Sequence, residues 1–407
     1  MAISLTVFDW IALIAFLIFF AFFLNPRLER SRLWSATVTP LASIIGSGYL
    51  VCAPLLYYTV GDFAFLAMAG IVTLAYLIGA AIRFNILHAE PIIYESSEET
   101  EFRKFILEIE RFSNLVLSFA YMISVAFYLR LLSAFIFSGF FHRDPFLENL
   151  LTSAILLFIG ITGKLRGLKF LEFLEKYAVA INLSIIFSFI LALAAYDIKN
   201  GYHVNWEGKP VTFETLQILA GILLIVQGFE TSKYLRGVYT PQERVKSMRL
   251  AQIVSGLIYV SFIFLITPLF YLLQGHRLDA TAIIMLAGAL SVILGFLIKT
   301  GPLVSQFGAA IADTIASGGL IETETEGRIK SRTGYLVLSL IDVVLIWSLN
   351  IFGIIAYASK AFAFYYLLQT VIATAVALHK RKWAYFLLFL LLIPVLAFIT
   401  IFGKSAE

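Results

Sequence analysis

Two short stretches of small and polar residues interrupt otherwise apolar runs, and they are where this chain could do chemistry. The first is Ile45-Gly46-Ser47-Gly48, inside the run from Thr39 to Leu50, with Pro54 a turn later. A Gly costs about 1 kcal/mol relative to Ala inside a helix. Two of them around a serine mark a place where the helix can open. Opened backbone in lipid is tolerated only where it is buried or lines a wet cavity. Its freed N–H groups, at the start of the following half-helix, suit a carboxylate. The second stretch is Val226-Gln227-Gly228-Phe229-Glu230. It again predicts unwound backbone with polar lining. Taken singly, each stretch reads equally well as close packing of helices through small residues. Corresponding interruptions in two halves of a chain are instead the pattern of a solute site at the middle of a membrane.

Ionisable residues inside apolar runs are the other candidates, because each costs about 2.5–3.5 kcal/mol to insert. Arg130, Lys299 and Lys360 stand against Glu230 and Asp342. At about 1.5 Å per residue the three cations lie roughly 12–14 Å below the outer ends of their helices, too deep for comfortable snorkelling, so they are expected to face the interior. Glu230 and Asp342 can each pair with one, which leaves one base without a fixed counter-ion. Either a substrate carboxylate supplies it, or Lys299 is neutral for part of a cycle, as a proton carrier would be. For Lys299 the structural alternative is an ion pair with Asp342, and for Glu230 it is support of the break through backbone contacts.

These residues need a bundle of spanning helices to hold them, and the composition provides one. Of 407 residues 60% are hydrophobic and 14% charged, with 38 Phe, whereas soluble domains are about a quarter charged. Apolar segments occupy 8–24, 34–58, 62–83, 113–140, 149–166, 173–197, 213–236, 249–273, 291–317, 334–349, 351–378 and 383–402, about twelve transmembrane helices in an all-α integral membrane protein. The stretch 279–290 is too short to span and is expected to lie at the outer mouth. The organisation is an additional N-terminal helix and basic loop (1–33), five helices (34–197), an extracellular loop (198–212), five helices (213–378), and a final helix with its tail (379–407). The breaks fall in the first helix of each five-helix half. An odd number of spans per half inverts one half relative to the other.

With the N-terminus outside, the inner stretches 27–32, 83–111, 164–176, 233–249, 328–332 and 380–382 hold 22 of the 30 Lys and Arg. That asymmetry follows the positive-inside rule and predicts a multi-pass protein of the cell membrane in this orientation. Between the third and fourth segments, Ser96 and Glu99 have capping-box spacing, and Phe102, Phe105, Ile106, Ile109 and Phe112 share one face. A helix lying on the inner membrane surface is expected there.

Other function classes lack their residues. One cysteine, Cys52, excludes a disulfide framework within the chain and any multi-Cys metal site. The five histidines, His88, His142, His203, His276 and His379, lie at span ends or in loops, with no second His at helical spacing. An intramembrane enzyme is therefore a poor reading. No cofactor or metal is expected. The Lys and Arg follow topology and do not form a nucleic-acid patch. The partners expected are a small solute, the lipid bilayer and possible coupling to protons; the oligomeric state is not legible.

At these motifs the sequence resembles the amino acid–polyamine–organocation (APC) superfamily, whose members have the LeuT-type fold of two inverted five-helix repeats. Ile44-Ile45-Gly46-Ser47-Gly48 is similar to its glycine signature in the first core helix, and Gln227-Gly228-Phe229-Glu230 to its Phe-x-Gly-Phe-Glu signature in the sixth. Ala316-Ser317-Gly318-Gly319-Leu320, followed by the charged Arg328–Arg332 stretch, resembles the end of the eighth and the loop after it. Val226 departs from the pattern, because members commonly carry an aromatic lid there. The extra N-terminal segment and the single span after the core depart from it too. The resemblance implies alternating-access transport of an amino acid or related amine. The carboxylate would sit on the Gly46–Gly48 amides and the amine on carbonyls of the two broken helices, with Val226, Gln227, Gly228 and Phe229 as further contacts. It also sets Lys299 about where sodium-coupled members bind the ion, which implies a sodium-independent, proton-coupled or exchanging carrier. A non-transporting ligand sensor on the same bundle, or a carrier of another small organic solute or ion, is the alternative.

Overall fold

Apolar runs become helices almost throughout the computed structural model, which describes residues 5–46, 48–95, 100–142, 144–168 and 173–406. The first helix, α1 (Val7–Phe23), leads through a single turn, α2 (Pro26–Glu29), into α3 (Arg32–Ile45) and α4 (Gly48–Val60). Then come α5 (Ala64–His88), α6 (Glu101–Phe140), α7 (Pro145–Arg166) and α8 (Phe173–Asn200). The second half begins with two short pieces, α9 (Phe213–Ala220) and α10 (Thr231–Tyr234), separated by a 3-10 turn at Leu223–Val226. It continues through α11 (Pro241–Ile266), a 3-10 stretch at Thr267–Leu273, α12 (Ile283–Leu290), α13 (Val292–Glu324), α14 (Ser331–Ser348), α15 (Ile351–His379) and α16 (Trp383–Phe402). The described residues hold no strand beyond one isolated bridge between Gly61 and Gly208.

Among the described residues, ten helical stretches are long and apolar enough to cross a membrane, counting α3 and α4 together. The chain is an all-α integral membrane protein. Two of the twelve expected spans differ from that standard: α1 has only 17 residues, and 213–236 is not one helix at all. Exposed surface is apolar where lipid would lie, as at Ile14, Leu17 and Ile18 of α1 and Leu387, Leu390 and Leu391 of α16. A water-facing surface would not bring so many large apolar side chains together.

Polar residues at span ends fix where helices start. Thr240 and Glu243 form a capping box before α11, with Pro241 in the first turn. Asp144 accepts from the amides of Phe146 and Leu147 at the start of α7, and Ser291 separates α12 from α13 by capping Leu294.

The expected surface helix is absent as a separate element. Residues 96–99, with the Ser96–Glu99 box, lie outside the described residues. Thr100 caps instead, and from Glu101 the helix runs unbroken for 40 residues into the span. Nothing in that stretch before Gly139 breaks a helix, so the amphipathic turns and the span are continuous. Ile106 faces inward, while Phe105 and Phe112 are exposed.

Contacts sort the loops into two ends. At one end Arg32 pairs with Glu243, Arg111 with Glu326, and the Lys382 amine lies beside His88; this is the basic end. At the opposite end Gly61 bridges Gly208, the Tyr58 hydroxyl donates to the His276 carbonyl, and Lys404 pairs with Glu214.

Candidate functional site

The helix formed by α3 and α4 opens where the glycines predict. The α3 helix stops at Ile45, Gly46 takes φ −40° and ψ −85°, and α4 resumes at Gly48. Ser47 lies outside the described residues. Opening frees carbonyls, and side chains meet them. Tyr259 of α11 donates its hydroxyl to the Ile44 carbonyl at 2.9 Å, and the Asn182 amide of α8 donates to the Gly46 carbonyl at 3.2 Å.

The second interruption is deeper. After the 3-10 turn at Leu223–Val226, Gly228 adopts φ +113°, a left-handed conformation that favours glycine. Its N–H donates to Glu230 Oε2 at 2.9 Å, and its carbonyl accepts from the Thr231 hydroxyl at 2.7 Å. Glu230 is fully buried and also accepts from the hydroxyls of Tyr366 at 2.7 Å and Tyr121 at 3.2 Å. This carboxylate therefore occupies the anion-friendly turn that the second break creates. The Gln227 side-chain amide lies 3.5 Å from the Tyr128 hydroxyl, and Phe229 stacks on Tyr366 with ring centres 5.1 Å apart.

The two breaks are packed against each other. A Cβ on Gly48 would lie 2.3 Å from the Ile225 carbonyl oxygen, and one on Gly228 would lie 2.5 Å from Ser43 Oγ and 2.6 Å from the Ser43 carbonyl carbon. Each interruption thus uses a glycine to let the other's backbone approach. Tyr259 joins them directly, because its hydroxyl also lies 2.8 Å from the Ile225 carbonyl. One hydroxyl proton is shared, or alternates, between carbonyls of both breaks.

Beside this junction is a cavity of about 490 Å³, within the 300–1,000 Å³ typical of small-ligand sites. Ile45, Gly46 and Asn182 form its deep wall, with Tyr121, Tyr128 and Ser305. From there it runs past Ser43 to Thr39 on α3 and from Asp313 to Thr323 on α13. It therefore extends toward the basic end. Toward the opposite end the path is filled by aromatic side chains: Tyr49 packs on Phe262 at 4.4 Å, Phe262 on Phe189 at 5.4 Å, and Tyr57 on Phe270 at 4.9 Å between ring centres.

Of the residues singled out from sequence, Ile45 and Gly46 line the cavity. Gly48, Val226, Gln227, Gly228, Phe229 and Glu230 are buried in the packed junction behind its wall. Lys299 is half-buried, its stem along Gly139 near the end of α6. The α13 lining begins only at Ser305, more than a turn farther on. Arg130 pairs with Glu148 of α7, not with Glu230. Among the described residues Lys299 and Lys360 have no ion pair, and neither does the fully buried Asp342.

The expected surplus of in-span cations was a miscount of acids. Asp9, Glu148 and Asp313 are all buried within or beside spans. Asp9 accepts from Ser291 Oγ at 2.7 Å and from the Ile293 amide at 3.2 Å, tying α1 to the start of α13. Sequence reading passed over Asp313, Asn182 and Tyr259. A carboxylate inside the 291–317 run was a usable signal for the first. No spacing rule singles out the other two, because their partners are backbone groups distant in sequence.

Lys233 also moves from its expected place in an inner loop. It is buried, with its amine 2.6 Å from Glu110 Oε1 and 2.8 Å from Gln369 Oε1. Arg244 grips Glu90 through two hydrogen bonds and donates to the Lys233 carbonyl at 2.8 Å. A four-residue helix has no stability of its own, so this network is what holds α10 against α5, α6 and α15.

A family model described as an APC superfamily transporter matches residues 26–403. An uncharacterized protein of Aquifex aeolicus (strain VF5) is 62% identical over 403 residues, covering 99% of this chain and 98% of its own length.

Proposed function

The chain belongs to the APC superfamily of transporters, and from that premise we propose that it carries an amino acid or related amine by alternating access, without sodium. The observation that carries this reading is the junction of two interrupted helices beside a cavity that reaches one end of the bundle and not the other. In this reading helices from α3 to α8 and from α9 to α15 form the two inverted repeats. The N-terminus is outside, so the basic end faces the cytoplasm and the cavity is the inward-facing half of the route.

The lining supports an amine-bearing solute. Asp313 offers a carboxylate, and Tyr121, Tyr128 and Tyr234 offer hydroxyls and ring faces, which suit an ammonium group. The carboxylate of an amino acid would lie at the Ile45–Gly46 turn, where the following half-helix presents its N-terminus. Gln227, Gly228 and Phe229 act through the shape of the junction.

Sodium independence is supported by the carbonyls. In a sodium site, opened backbone offers its oxygens to the ion. Here the Ile44, Ile225 and Gly228 carbonyls accept from hydroxyls and the Gly46 carbonyl accepts from an amide. Neutral donors already do what the cation would do. Exchange or proton coupling then supplies the drive, and Lys299, away from the lining, has no part in this reading.

A thermal-shift screen of amino acids and amines finds the ligand, which stabilises by about 2.7 kcal/mol at a hundredfold excess over Kd. Uptake of that ligand into liposomes is then measured in sodium and in choline buffer. Equal, saturable uptake in both is expected, and Asp313→Asn lowers it at least about tenfold, as losing a charged partner does. Uptake that needs sodium contradicts the reading, and binding without flux makes the protein a sensor.

A further inference from the structure

The tail after α16 lies on the first piece of the broken seventh segment. Phe213 at the start of α9 packs edge-on against Phe398 and Phe402, with ring centres 5.8 and 6.2 Å apart. Beyond Phe402 the chain leaves the helix and crosses the end of α9. The Lys404 amide donates to the Gln217 carbonyl at 2.9 Å, and a Cβ on Gly221 would lie 2.0 Å from the Lys404 carbonyl oxygen. A Cβ on Gly403 would in turn lie 3.4 Å from Gly221. The backbones therefore touch, glycine against glycine, at the turn where α9 passes into the 3-10 stretch that leads to the second break.

We propose that the tail, residues 403–406, is a latch that holds α9 shut over the closed end of the route. Two features give it this role. With eight residues, α9 cannot stand as an isolated helix, so whatever docks on it sets its position. The docking also falls on the closed side, opposite the end to which the cavity opens. If the route opens there, Gly221 must part from Lys404. The Lys404–Glu214 ion pair adds little, because both side chains are about half exposed or more. The weight of the latch is in the backbone contact of Gly403 and Lys404 with α9; the three phenylalanines belong to α9 and α16 and remain when the tail is removed.

The inference takes alternating access as given, and its test separates the two. Cys52 is replaced by Ser, and single reporters are made as Ile222→Cys, buried beside Gly221, and Ala312→Cys, in the cavity wall. Labelling by a charged maleimide is timed in detergent micelles for the full chain and for a chain ending at Phe402. Loss of the tail is expected to speed labelling at Ile222→Cys about tenfold and to slow it at Ala312→Cys, as a shift between two states requires. Gly221→Ala, which drives a methyl group into the Lys404 carbonyl with the tail still attached, is expected to act in the same direction. Lys404→Ala is expected to change either rate less than about twofold. An unchanged rate at Ile222→Cys in both the shortened and the Gly221→Ala chains overturns the latch. So does faster labelling at both reporters, which would mean general loosening. Faster labelling at Ile222→Cys with no change at Ala312→Cys upholds the latch and counts against alternating access.

Discussion

Tyr259 and Glu230 do at single positions what a bound ion or ligand does in an empty turn. The tyrosine hydroxyl serves carbonyls from both breaks, and the glutamate fills the turn at Gly228 while accepting from two tyrosines. Removing the hydroxyl with Tyr259→Phe leaves two buried carbonyls short of a donor and is expected to cost about 1–3 kcal/mol. A lower thermal midpoint together with lost uptake checks this, and a midpoint unchanged within error contradicts it. Glu230→Gln keeps the shape but leaves one oxygen for three donors. It is expected to lower the midpoint even when the ligand is saturating, since the group supports the break and is not in the cavity wall. Glycine, Gln and Glu at 227–230 were legible as a polar interruption. Tyr259 was not, since its value comes from where α11 crosses both breaks, and a tyrosine in an apolar run has the same appearance whether or not it does so.

At the scale of elements, the glycines divide the labour differently from what their spacing suggests. Gly46 faces the cavity, with the nearest atom to a Cβ there, the Ala42 carbonyl oxygen, 3.3 Å away; Gly48 faces the Ile225 backbone, with a clash at 2.3 Å. Gly48→Ala is therefore expected to destabilise by at least the 1–3 kcal/mol of an overpacked core, about twice or more the effect of Gly46→Ala. Similar thermal midpoints for the two variants would show that the breaks are not packed as described. The Lys233–Glu110 pair makes a second test. Lys233→Met alone strands a buried carboxylate, which costs about 3–5 kcal/mol, whereas Lys233→Met with Glu110→Leu is expected to recover most of that. Sequence reading located the breaks because Gly and Pro act locally. It could not distinguish lining from packing, nor see that α6 continues for 40 residues, because the change from an amphipathic to an apolar pattern near 113 resembles a boundary between two helices although no Gly or Pro breaks the chain there.

For the whole molecule, an apolar chain with its basic loops at one end was legible from composition and charge alone. Lipid rewards apolar exposure, and topology follows positive charge. What was not legible is which way the route is open, since that depends on how aromatic side chains from α4, α8 and α11 meet across the bundle. The closed side lies at Tyr49, Phe262 and Phe189, and the cavity opens between α3 and α13. In the function proposed above, a small amine-bearing solute crosses through this junction without sodium. Counterflow tests it most directly: liposomes are loaded with the ligand that stabilises the protein, diluted into sodium-free buffer with a trace of labelled ligand, and sampled over minutes. Transient accumulation of label is expected in liposomes carrying the protein and none in those carrying Tyr259→Phe. A ligand that stabilises the protein yet shows no accumulation, or accumulates only when sodium is restored, would contradict it.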